Sequence, residues 1–87
     1  MAVYGGDLAQ LETLSGQFIR EIDAVDGLQS RISGVLESTA WTGPAAERFR
    51  TQWIDDFVPA LLRLKEALSE SSAVVNDRRQ AIEMATS

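Results

Sequence analysis

The 87-residue chain is acidic, with a formal charge of −5, and contains neither cysteine nor histidine. This excludes a disulfide staple, the usual Cys/His metal sites and a histidine general base, and a single core of this size is marginal unless it associates. Residues 1–40 set six acids against Arg20 and Arg31, and residues 41–87 set seven against six bases. That leaves no basic stripe for a phosphate backbone, and nucleic acid is not expected as a partner.

The opening stretch MAVYGGDLAQ has no basic n-region and no apolar h-region, so no signal peptide of the usual kind is expected. No apolar run approaches the ~20 residues that span a bilayer, so stable membrane insertion is not expected either. From Leu8 to Leu36 the apolar residues recur at helical spacing. Leu11, Phe18, Val25 and Ile32 stand seven apart, with Leu14, Glu21, Leu28 and Val35 as a companion row. Leu8, Ile22 and Leu36 widen the stripe along one edge. This predicts a helix over about residues 7–38 with an apolar face broader than a two-stranded seam requires. Gly16, Gly27 and Gly34 fall off its central rows, either on a solvated flank or where a partner helix approaches closely.

Residues 39–43 form a short break, and Pro44 suits the first helical position, where its missing N–H costs nothing. Thr42 or Gly43 is the expected N-cap. A second helix follows over about residues 44–84. Its row Ile54, Leu61, Leu68, Val75 and Ile82 is apolar throughout, flanked by Phe57 and Leu64 on one side. On the other side run Trp53, Ala60, Ala67, Val74 and Ala81, mostly small residues that let another helix come close. Pro59 cannot donate to the carbonyl of Asp55, so a kink is expected near Ile54 to Val58.

So short a connection sets the helices antiparallel, and residues 1–87 read as one all-α, helix-turn-helix hairpin domain. Helices of thirty-odd residues make a rod roughly 50 Å long. A single neighbour cannot cover stripes this wide, and Phe18, Trp53 and Phe57 would leave apolar surface wet in a monomer. Two hairpins pairing into a four-helix bundle would cover it. The expected hairpin or dimer interface is Leu11, Leu14, Phe18, Val25, Leu28, Ile32 and Val35 from the first helix. From the second it takes Trp53, Ile54, Phe57, Leu61, Leu64, Leu68 and Val75.

Chemistry is sparse. Asp55 and Asp56 are adjacent and point about 100° apart on a helix, so they do not readily share a proton or an ion. Asp23 and Asp26 are three apart but have no further ligands for calcium. Serines are plentiful, yet with no histidine and only an exposed Lys65 none has an activating base. Arg78 and Arg79 fit the helix dipole better than a phosphate. Neither an enzyme nor a cofactor is expected. Glu21 is the one charge in an apolar row: it either sits at the rim while Ile22 takes the core direction, or pairs with a basic residue of a partner and helps select it.

The tripeptide Trp41-Thr42-Gly43 sits in the only turn between two amphipathic helices of an acidic, cysteine-free chain. That arrangement, with WTGPAAERFRTQW followed by F.PALLRLKEAL, resembles the WXG family of ESAT-like helical hairpins exported by type VII (ESX) secretion systems, its actinobacterial members in particular. The resemblance covers nearly the whole chain. It implies a hairpin that forms a homodimer, or a heterodimer with a sister hairpin, and leaves the cell folded and paired. It also implies recognition by an FtsK/SpoIIIE-like ATPase, with Trp41 and Gly43 matching the family's W-x-G turn. That turn and the partner's C-terminal tail together form the family's export signal. The Tyr-x-x-x-Asp/Glu tail motif frequent in the family is missing: no aromatic follows Phe57, and Tyr4 and Asp7 have the wrong spacing at the wrong end. Either a partner supplies the tail signal, which is the first expectation, or the chain uses a different signal or is not itself exported. The alternative is a cytosolic helical adaptor, or chaperone-like companion of a larger effector, in which Trp41 only plugs the bundle end.

Overall fold

The structure, a computed structural model, describes residues 6–86, the side chain of residue 86 excepted. Tyr4 lies outside the described residues. Asp7 opens the first helix: its carboxylate accepts from the Gln10 backbone N–H at 3.0 Å, which satisfies one of the donors a helix start leaves unpaired. Helix α1 then runs unbroken over Leu8–Ser38. At its end the hydroxyls of Ser38 and Thr39 both donate to the Val35 carbonyl, at 3.1 and 2.5 Å. Thr39 is already extended, and the chain turns.

Gly43 caps the second helix with φ 111° and ψ 174°, a conformation that belongs essentially to glycine. Its carbonyl accepts from the Glu47 N–H at 3.0 Å. Of the two expected caps it is Gly43 that serves, through its backbone alone; no side chain caps this end. Pro44 takes the first helical position, as expected. From there α2 (Pro44–Gln52), a π-helical turn (Trp53–Phe57) and α3 (Val58–Thr86) form one continuous rod packed antiparallel to α1.

The π-turn is the kink expected before Pro59, in a particular form. Proline at 59 supplies no N–H to the carbonyl of Asp55, and its ring crowds that turn. The helix responds by widening: the Val58 N–H bonds to the carbonyl of Trp53, five residues back instead of four. One extra residue is thereby absorbed, and every inward position after it moves on by one. Ahead of the turn, Ala46, Arg50 and Trp53 face α1; beyond it come Val58, Leu61, Lys65, Leu68, Ser72, Val75, Arg79 and Ile82. The expected row of Ile54, Leu61, Leu68, Val75 and Ile82 is thus corrected at Ile54 alone, its other four members being half-buried. Trp53 holds the inward place and Ile54 is 65% exposed.

The molecule measures 65 × 17 × 15 Å. It is longer than the expected 50 Å because the second rod extends from Pro44 to Thr86, well past thirty-odd residues. Against Leu61, Leu68 and Val75, α1 sets Leu8, Leu11, Ser15, Phe18, Ile22 and Val25, each half-buried. Gly34 meets no heavy atom within 4 Å of where a Cβ would stand, while Gly16 and Gly27 meet only Arg20 and Arg31 of their own helix. Packing within the hairpin does not require these glycines.

Almost nothing is fully enclosed. Among the described residues only Ala46, Trp53 and Ser72 are buried. The chain exposes 6460 Å². A compact monomer of its 9.5 kDa would expose about 5,000 Å². A two-helix rod cannot close a core around itself.

Candidate functional site

The two long edges of the hairpin differ. Along one, polar groups tie the helices together. Lys65 Nζ meets Asp26 Oδ1 at 2.5 Å, and the Ser15 and Ser72 hydroxyls lie 2.9 Å apart, with Ser72 also donating to the Ser15 carbonyl at 3.1 Å. Lys65, expected to be exposed, is largely covered in this bridge, its side chain 22% accessible. Near the tip the Trp53 indole Nε1 donates to Ser33 Oγ at 3.0 Å. Ile54 flanks this edge, lining a cavity of about 220 Å³ with Ser33, Leu36, Glu37, Arg50, Trp53 and Val58.

Along the other edge the apolar stripe continues past the seam and stays open. On α1 it comprises Leu14, Leu28, Ile32 and Val35, all exposed, bordered by the half-buried Phe18 and Val25. Because the helices are antiparallel, the matching flank of the second rod lies beside it and presents Phe57, Ala60, Leu64, Ala67 and Val74. Phe18 lines one groove with Ala67, Glu70, Ser71 and Val74, and Ile32 lines another with Arg31 and Val35. The expected interface residues therefore divide. Leu11, Phe18, Val25, Leu61, Leu68 and Val75 belong to the intrachain seam, whereas Leu14, Leu28, Ile32, Val35, Phe57 and Leu64 face outward on one side.

Trp53 departs from expectation. Placed by the sequence on a row of small residues and expected to be wet, it is 8% exposed and is the one large apolar side chain buried among the described residues. Trp41 is the contrary case at 41% exposure. Its backbone N–H bonds to the Thr39 carbonyl at 2.9 Å, closing a tight turn over Ala40, and Arg50 Nη2 donates to the same carbonyl at 3.3 Å. The Trp41 ring lies 5.9 Å from that of Phe49, which lies 6.4 Å from Phe57, which in turn lies 6.1 Å from Trp53. An aromatic run thus joins the displayed indole at the tip to the open face.

Phe49, the middle of that run, was not singled out from sequence, although its spacing to Trp53 and Phe57 (four and eight residues) signalled one helix side. The Ser33 and Ser15–Ser72 bonds carried no sequence signal, since nothing pairs a serine on one helix with a named residue on another. Asp55 and Asp56 face solvent within the π-turn. Asp26 is engaged by Lys65, and Arg79 bonds Asn76 and Glu83. No three acidic side chains among the described residues converge as a metal site, and no described helix is long and apolar enough to cross a membrane.

The described residues define an all-helical hairpin with one latched edge and one open apolar face. No family model, no curated protein and no solved structure matches the chain.

Proposed function

We propose that this chain is a non-enzymatic pairing module of the WXG kind, which covers its open face with a second helical hairpin and leaves the cell through type VII secretion as a folded pair. The observation that carries the pairing is that the described residues enclose almost no core. The sequence is 45% hydrophobic, yet among the described residues only Ala46, Trp53 and Ser72 are buried, and Leu14, Leu28, Val35, Phe57 and Leu64 stay in water on one side. Its surface exceeds that of a compact monomer by roughly 1,400 Å², more than the ~800 Å² each partner contributes to a stable interface. A second hairpin laid on that face makes a four-helix bundle.

The turn supports the export reading. Gly43 sits where only glycine is comfortable, and the half-exposed Trp41 stands immediately before it. The burial of Trp53 assigns the task of anchoring the hairpin end to a different indole, which leaves Trp41 available for recognition. In this reading the chain is made in the cytoplasm, an FtsK/SpoIIIE-like ATPase receives the pair, and the partner's tail completes the export signal beside the Trp41 turn.

The experiment is expression in an actinobacterial host with and without the type VII ATPase, followed by quantification of the chain in the culture medium. The proposal predicts ATPase-dependent appearance in the medium when the partner hairpin is co-expressed. Retention in the cytosol regardless of ATPase and partner contradicts it.

A further inference from the structure

Beside Trp53, on the latched edge and so opposite the open face, lies the cavity of about 220 Å³. The π-turn accounts for it. Trp53 and Val58 are successive inward positions, and the widened turn sets them five residues apart instead of the three or four of an α-helix. Ile54, turned out to 65% exposure, walls the resulting gap without filling it, and Leu36 closes it on the α1 side.

The polar groups at this cavity are mostly engaged within the hairpin. Ser33 Oγ accepts from the Trp53 indole Nε1 at 3.0 Å, and Arg50 donates to the Thr39 carbonyl at 3.3 Å with Glu47 3.9 Å away. Glu37 is the other charge in the lining, and it forms no ion pair among the described residues. The lining thus holds one cation and one anion. No buried side-chain polar atom among the described residues lacks a partner, so none calls for a hydrogen bond from an occupant. A charged occupant gives up water to sit between one opposite and one like charge, and gains little. A neutral apolar occupant gains the burial of its whole surface.

Size narrows the class. Drug-sized ligands take about 300–1,000 Å³, whereas an apolar cavity of about 150 Å³ holds benzene. The walls of Leu36, Trp53, Ile54 and Val58 therefore suit one ring with a short apolar substituent, and the indole favours an aromatic ring over an aliphatic chain. We propose that this cavity is a binding site for a small, neutral aromatic molecule of single-ring size. The site is complete within one hairpin and does not depend on the pairing reading.

An NMR titration of the full-length chain with toluene tests it. The titration follows the Trp53 indole N–H against that of Trp41 and against the methyls of Leu14, Leu28 and Leu64 on the open face. Benzoate and benzylamine at neutral pH serve as anionic and cationic probes carrying the same ring. Toluene is expected to shift the Trp53 signal saturably, with a Kd of about 1 mM or tighter, and to leave Trp41 and the open-face methyls in place. The charged probes are expected to bind at least about tenfold more weakly. Ile54→Asp, at an exposed helical position, is expected to weaken toluene binding at least about tenfold while circular dichroism shows the helices retained. The wild-type titration decides the site by itself if that variant unfolds. A Trp53 signal that drifts without saturating, or moves no more than the open-face methyls, overturns the site, as does unchanged binding by folded Ile54→Asp. Benzoate or benzylamine binding as tightly as toluene overturns the neutral class.

Discussion

The indole Nε1 of Trp53 donates to Ser33 Oγ at 3.0 Å, fastening the start of the π-turn to α1 one and a half turns before that helix ends. Trp53 is the one large apolar side chain that the hairpin buries among the described residues, so it carries a disproportionate share of a small domain's stability. Trp53→Ala is expected to cost about 3–5 kcal/mol. That is enough to abolish cooperative melting in a hairpin with so little core. Trp53→Phe keeps a ring and loses the hydrogen bond, at about 1 kcal/mol. Thermal denaturation followed by circular dichroism distinguishes these; equal melting of Trp53→Ala and wild type contradicts the anchor.

Gly43 gives a backbone prediction. At φ 111° and ψ 174° a Cβ is strained whatever space surrounds it, and nothing lies within 4 Å to clash. Gly43→Ala is therefore expected to cost about 1–3 kcal/mol through the backbone alone. Urea denaturation measures it. A cost near zero means that the turn relaxes to an ordinary conformation.

The π-turn makes a less intuitive prediction. If it absorbs one residue, deleting Asp55 together with Pro59→Ala lets the rod close into continuous α-helix with Trp53, Leu61 and Leu68 still facing α1. Deleting Glu66, within α3, instead rotates one side of the cut by about 100° against the other and splits the seam. Helix content and melting temperature should survive the first deletion and collapse in the second. Equal damage from both rules out the register account.

The Asp26–Lys65 bridge contributes little by comparison. Half of the Asp26 side chain is exposed, and water screens the pair. Asp26→Asn is expected to change stability by less than about 1 kcal/mol, with little dependence on the salt in a denaturant titration. A loss of several kcal/mol contradicts the assignment of the latch as minor.

Both helices, the turn and its glycine were legible in the sequence because each rests on local physics: apolar periodicity, proline at a helix start, glycine at a break. The register of the second rod was not. A seven-residue count runs straight through Ile54 and cannot reveal that Pro59 forces a wider turn, so the count put Ile54 where Trp53 belongs. The same miscount hid the division of labour between the indoles. Read as the wet edge of a row of small residues, Trp53 left Trp41 as the only candidate plug. The two-sided character of the hairpin was half visible: the stripe was evidently too wide for one neighbour. Which residues stayed outside depended on the relative rotation of two helices, and no local signal encodes that.

The most direct test of the account is the secreted fraction of the Trp41→Ala chain, co-expressed with its partner hairpin in a host with an active type VII system. Trp41 is half-exposed and its replacement should cost about 1 kcal/mol or less, so the variant stays folded. The account predicts a folded, paired protein that accumulates in the cytosol while wild type reaches the medium. Undiminished export of Trp41→Ala, or a hairpin that unfolds as Trp53→Ala does, contradicts it.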